Sequence, residues 1–115
     1  KPVLVEGVRR ARAAGVKVVA GSDTGYGPSS MARIPREVLE LIDAGLTPLA
    51  ALQAATTVNA ELLRLDKQIA QVRAGFEADL LVVEANPLDQ PRTLLDPLLV
   101  VSNGRIGLDR LSFGR

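Results

Sequence analysis

One carboxylate in this sequence stands apart by its position. Asp23 follows Val16-Lys17-Val18-Val19-Ala20, a short β-branched apolar stretch whose composition predicts a buried strand. It lies within Gly21 to Ser30, where three glycines, a proline and several hydroxyls predict a loop. Folds of the α/β class place ligands in loops that leave strand ends. A carboxylate there can hold a divalent cation or take a proton from an activated water. It can equally well bind the N–H groups of its own loop, as Asp does in turns. Position in the sequence leaves both readings open.

The neighbouring side chains are less specific. Tyr26, the single tyrosine, comes three residues after Asp23 and can either line a pocket or sit exposed on the loop. Arg33 and Arg36 can meet a substrate carboxylate, or simply be charges at the start of a surface helix. Glu37 and Glu40 have the spacing of a solvated helix face, and Asp43 that of a local hydrogen-bond acceptor. Gly21, Gly25 and Gly27 match neither G-x-x-x-x-G-K-[ST] nor G-x-G-x-x-G, which argues against a phosphate cradle. Ser22, Ser29 and Ser30 have no imidazole or thiolate in the sequence to activate them.

Composition narrows the classes further. The 115 residues include no Cys and no His. Disulfide frameworks, thiolate metal sites and imidazole acid–base chemistry are therefore excluded within this chain. Fourteen Lys and Arg balance thirteen Asp and Glu, for a net charge of +1, and aromatics make up 3%. Neither an electrostatic footprint for nucleic acid or an acidic membrane nor a base-stacking platform is present. No apolar run approaches the ~20 residues needed to cross a bilayer, and no signal peptide opens the sequence, so a cytoplasmic protein is expected. With 47% apolar residues the chain can bury a core.

The elements that must position Asp23 follow from periodicity and capping. Leu4, Val8 and Ala11 give the first helix an apolar stripe, and Gly15 suits its end. Helix, turn and strand form the second half of a βαβ repeat whose opening strand is absent, so the chain is expected to be part of a longer one. A second helix is predicted from Pro35 to Ala44, with Ile34, Val38, Leu41 and Ile42 on one face and Gly45 as terminator. Thr47-Pro48 predicts the start of a third, because Thr caps free N–H groups and Pro at the first position loses no bond. That helix carries Leu49, Leu52 and the alanines through Ala55. Thr56-Thr57 interrupts it, and a short helix from Val58 to Leu65 is expected to bury Leu62 and Leu63. From Asp66 the pattern changes. A strand is predicted over Asp79 to Glu84 and a turn at Asn86-Pro87-Leu88. A hairpin of Leu98 to Ser102 and Arg105 to Leu108 is predicted around Asn103-Gly104. Three strands without a covering helix are a poor free-standing sheet and are expected to join others that this sequence does not contain, with a homo-oligomer the expectation for the sequence in isolation.

Taken in order, these segments resemble the C-terminal part of the metal-dependent amidohydrolase superfamily, in its imidazolonepropionase-like and prolidase-like branch. Val16 to Thr24 resembles the eighth barrel strand and its Asp. Glu37 to Pro48, Ala50 to Thr56 and Asn59 to Leu63 resemble the helical segments that follow. Gly75-Phe76-Glu77-Ala78-Asp79-Leu80-Leu81-Val82-Val83 resembles the return into the small β-domain, and Asn86-Pro87-Leu88 and Val100 to Arg105 its closing strands. The resemblance implies an α/β fold, the end of a (β/α)8 barrel over residues 1–65 and strands of a small composite β-sandwich over 66–115. It also implies hydrolysis of C–N bonds in amide, cyclic amide or dipeptide-like substrates, with one or two divalent metals, usually zinc. Asp23 would ligate or face the metal, orient the attacking water, take its proton and pass it to the leaving nitrogen. The remaining ligands would come from the rest of the barrel or another chain, and the 115 residues alone are expected to be inactive.

The sequence departs from the family pattern at several points. Gly25 to Ser30 lacks the His or Asn that many relatives carry there. Ala70 and Arg64 stand where Gly is usual, and Ala74 where Pro precedes Gly75. The competing expectations are a non-catalytic, partner-binding module and a small-molecule binder that uses the glycine loop without metal.

Overall fold

The computed structural model describes residues 2–23 and 33–112, and within them the chain is α/β with a small three-stranded sheet. Four α-helices come first: α1 (Pro2–Ala13), α2 (Arg33–Asp43), α3 (Pro48–Ala55) and α4 (Thr57–Leu62). Strand β1 (Leu80–Val82), a 3-10 turn (Pro91–Leu95), β2 (Leu99–Ser102) and β3 (Arg105–Asp109) follow. The strands are antiparallel in the order β1-β2-β3.

Helix boundaries are set by local chemistry. The Thr47 hydroxyl accepts the Ala50 N–H at 3.2 Å, and Pro48 opens α3 directly behind it. After α2, Gly45 takes φ +97°. This lets Leu46 N–H reach the Leu41 carbonyl and Gly45 N–H reach the Ile42 carbonyl, a Schellman ending. The same pair of bonds closes α4, from Leu65 to Ala60 and from Arg64 to Glu61. There the left-handed position, φ +60°, is held by an arginine.

The core is made where α2 and α3 pack. Val38, Leu41, Leu46, Ala51 and Ala54 are buried there with Ala20. Leu94 of the 3-10 turn enters the same cluster, and Val83, just after β1, packs on it. This turn was not foreseen from the sequence, and through it the sheet segment is docked on the helices. Burial also corrects two expectations. Leu62 and Leu63 are 65% and 59% exposed, because the six-residue α4 turns Ala60 inward in their place. Leu4, expected on the buried stripe of α1, is 75% exposed, whereas Val8 packs against the core.

The sheet matches its predicted hairpin. Asn103 and Gly104 both have positive φ, +48° and +72°, which a two-residue turn between twisted strands requires. Asp79 Oδ1 accepts the Asn103 N–H at 2.8 Å, and Gly104 N–H donates to the Ala78 carbonyl, so the segment entering β1 pins the turn. A bulge between Val100 and Val101 shifts the register against β3. Ile106 and Leu81 remain exposed on this sheet.

Two non-glycine residues at left-handed positions yield a prediction. Arg64 and Ala70 have φ +60° and +70°, where a Cβ is strained. Replacing either by Gly should stabilise the protein by about 0.5–1 kcal/mol, the relieved strain exceeding the added freedom of the unfolded chain. The urea unfolding midpoint measures this, with Arg64→Ala as the control that keeps the strain.

Candidate functional site

The stretch Val16 to Ala20 leads to Asp23, but it does not form the predicted strand. It pairs with no other described strand, so it has no ladder among the described residues. Its first anchor is the Val16 N–H, which donates to the Ala11 carbonyl at the end of α1. Its inner end is held by helices instead of strands. Ala20 N–H donates to the Ala54 carbonyl at 2.9 Å, and the Ala20 carbonyl accepts from Asn59 Nδ2, also at 2.9 Å.

Thr56 makes both bonds available. Its N–H donates to the Gln53 carbonyl, its hydroxyl donates to the Leu52 carbonyl at 2.7 Å, and its own carbonyl accepts from Ala60. These bonds end α3 and start α4 at an angle. The Ala54 carbonyl, which an unbroken helix would give to Val58, is thereby turned to Ala20. The threonine pair signals the break in the sequence, but nothing local indicates that Asn59 reaches a residue 39 positions earlier. A second tie joins the same partners. Lys17 Nζ meets Glu61 Oε2 at 2.7 Å, with both side chains largely exposed. That hydrogen bond raises the lysine pKa above its ordinary value.

Asp23 leaves this clamped segment exposed, with φ +45°. For a side chain other than Gly this is an uncommon conformation, and such positions concentrate at functional sites. Among the described residues Asp23 accepts no hydrogen bond, so it does not cap its own turn within them. Neither hydrogen bond nor ion pair joins it to Arg36 or Glu37. Arg36, Glu40 and Asp43 are exposed and Glu37 is half-buried, as expected of a helix face. Tyr26, Ser29 and Ser30 lie outside the described residues, as does the side chain of Arg33. Ser22 is half-buried. A groove of about 610 Å³ lined by Glu61, Asp66, Arg73 and Phe76 excludes Asp23. Within it the Arg73 guanidinium lies 5.8 Å from the centroid of the Phe76 ring, so its charge is already engaged.

The model of the amidohydrolase family matches residues 3–107, nearly the whole chain. The chain belongs to the amidohydrolase family. It is 36% identical over 90 residues to the ochratoxinase of Aspergillus niger, covering 76% of this chain and 18% of that protein. Among solved structures, a candidate prolidase from Bifidobacterium longum superposes with a TM-score of 0.78 at 41% identity. That match covers 89% of this chain and 25% of the other. A Xaa-Pro dipeptidase with methionine bound in its active site gives a TM-score of 0.80 at 28% identity, over 91% and 25% of the two chains. The chain thus spans about a fifth to a quarter of these relatives.

Whether these residues suit the divalent metal of the family follows from their donors. No group of three or more Asp, Glu, His or Cys side chains comes together among the described residues. Asp23 offers one exposed carboxylate, whose chemistry fits a single oxygen ligand and no more.

The Lys17–Glu61 pair sets a pH expectation. A lysine whose pKa is raised on folding stabilises the fold fully below its unfolded pKa and loses that contribution as pH rises through the folded value. Glu61→Gln should return the Lys17 pKa toward its ordinary 10.5 and remove this part of the alkaline loss. Titration of the Lys17 side chain by NMR reads the first effect, and unfolding midpoints above neutral pH read the second. An exposed pair should change overall stability little at neutral pH.

Proposed function

We propose that this chain is part of a metal-dependent hydrolase of C–N bonds and that Asp23 is its general base. In this reading residues 1–65 complete a (β/α)8 barrel, with Val16 to Ala20 as its last strand, and residues 66–115 supply strands of the adjoining β-sandwich. One observation carries it. The family match runs through a carboxylate that leaves the end of a clamped extended segment in a left-handed turn, free of hydrogen bonds to other described residues. The prolidase-like relatives favour amide or dipeptide-like substrates.

The reaction asks three things of Asp23. An ionised carboxylate orients the attacking water by accepting its hydrogen bond. It takes the proton as the new C–O bond forms at the carbonyl carbon. It then gives that proton to the leaving nitrogen as the C–N bond breaks, so that the amine departs neutral. A divalent metal, zinc in the expected case, would be held partly by Asp23 and would supply Lewis acidity that brings the water's pKa to about 7. Tyr26, three residues further on, is proposed to contact substrate. A structural zinc takes four protein ligands and a catalytic one at least three. With no His and no Cys, this chain needs the rest of the enzyme to turn over.

Asp23→Asn in the full-length enzyme should lower turnover of a dipeptide such as Met-Pro by about 10³-fold or more while the unfolding midpoint holds. N-acetyl-methionine is the second probe, for an enzyme that prefers simple amides. Near-normal turnover in the variant would remove Asp23 from the reaction and favour a structural role for this part of the chain.

A further inference from the structure

Asn59 makes the hydrogen bond that connects the helical half of the chain to the approach to Asp23. Its amide donates to the Ala20 carbonyl at 2.9 Å in a half-buried setting, while the N–H of the same residue is held by Ala54. Ala20 is 4% exposed, so in the intact structure these two bonds, and not solvent, hold its backbone groups. Only Gly21 and Ser22 separate this fixed residue from Asp23. From a fixed carbonyl, two residues and a left-handed φ at position 23 determine where the carboxylate goes. Without the Asn59 donor, the peptide group between Ala20 and Gly21 loses this anchor and can rotate, while the one before Ala20 stays bonded to Ala54. The displacement is passed on to Asp23, and a shift of about 1 Å at a reacting group can cost 10²-fold in rate.

We infer that Asn59 is a positioning residue, which through the Ala20 carbonyl sets the place from which Asp23 acts; this rests on the reading of Asp23 as the general base. The amide is suited to the task. It donates without a charge, whereas Lys or Arg would bring an unpaired cation into a half-buried site and Ser would not reach as far. It also sits on α4, whose start is fixed by the break at Thr56, and Lys17–Glu61 holds the same helix to the same segment from the solvent side.

The test uses the full-length enzyme with Asn59→Ala, which removes the donor, and Asn59→Asp, which keeps the shape and replaces the donor by an acceptor. Both should lower kcat on Met-Pro by about 10- to 100-fold with KM changed less than about threefold. Deuterium uptake should rise in the peptide covering residues 18–23 and stay unchanged elsewhere. In an Asp23→Asn background, Asn59→Ala should alter the residual rate by less than about twofold, because its effect passes through a carboxylate no longer there. Unchanged kcat and unchanged uptake at 18–23 overturn the inference. So does loss of protection spread along the whole chain in both variants, which would make Asn59 a general stability residue, and so do effects that multiply in the double variant. If Asp23→Asn alone leaves turnover intact, the base assignment fails, and the local uptake still shows whether Asn59 fixes the segment.

Discussion

Two backbones in direct contact constrain the rest of this structure. The Ala20 N–H reaches the Ala54 carbonyl at 2.9 Å, so an extended segment and a helix end must lie closer than most packed elements allow. That approach is possible because the side chains between them are methyl groups: Ala20, Ala51 and Ala54 are 4%, 0% and 2% exposed. A larger side chain at any of these positions would separate the elements and leave Ala20 buried with an unpaired N–H. A made hydrogen bond contributes only about 1 kcal/mol net, whereas a buried unpaired group costs about 1–3 kcal/mol. The constraint therefore acts mainly through what its failure would cost. The alanine-rich sequence of α3 is less a matter of helix propensity than of clearance.

This contact also explains the shape of the helical half. Helices of eight and six residues are too short to hold their form in water alone. A continuous helix over the same residues would be better bonded internally, but its Ala54 carbonyl would face along its own axis. The break at Thr56 gives up that continuity. The threonine satisfies itself locally through Leu52 and Gln53, and the released carbonyl and the Asn59 amide are directed to one residue, Ala20. Larger side chains complete the same buried cluster as Ala51 and Ala54. Val38 and Leu41 of α2 pack there, and Leu94 brings the sheet segment onto the same core.

What the sequence disclosed, and what it did not, follows the range of the interactions. Thr47-Pro48, Gly45 and Asn103-Gly104 act on neighbours within a few residues, and each does in the structure what its chemistry predicts. Asp23 was singled out for the same reason: a carboxylate in a glycine-rich loop after an apolar stretch is a local pattern. The burial of Leu62 and Leu63 was misread because apolar character shows a wish to be covered without showing what covers it. The 3-10 turn that buries Leu94 gives no periodic signal in five residues. Asn59 was read as part of a helical segment, since its bond to Ala20 spans 39 residues and depends on a bend made elsewhere. Arg64 and Ala70 are intermediate. Their departure from the family pattern was visible, and the positive φ angles show what it costs.

These separations bear on how the Asp23 carboxylate is held in such a fold. A strand in a ladder is fixed along its length by its neighbours, and its end shares any motion of the sheet. Here the last buried residue before Asp23 has both polar backbone groups committed to α3 and α4, elements later in the chain. Among the described residues, the position of the carboxylate is then referred to the small alanine-lined core. A left-handed residue at the exit fits this arrangement, because strain at position 23 can persist only if the backbone before it is unable to relax. The clamp on Ala20 is what denies it that freedom. The placement of Asp23 and the packing of the helices that follow it are, in this chain, one physical problem with one solution.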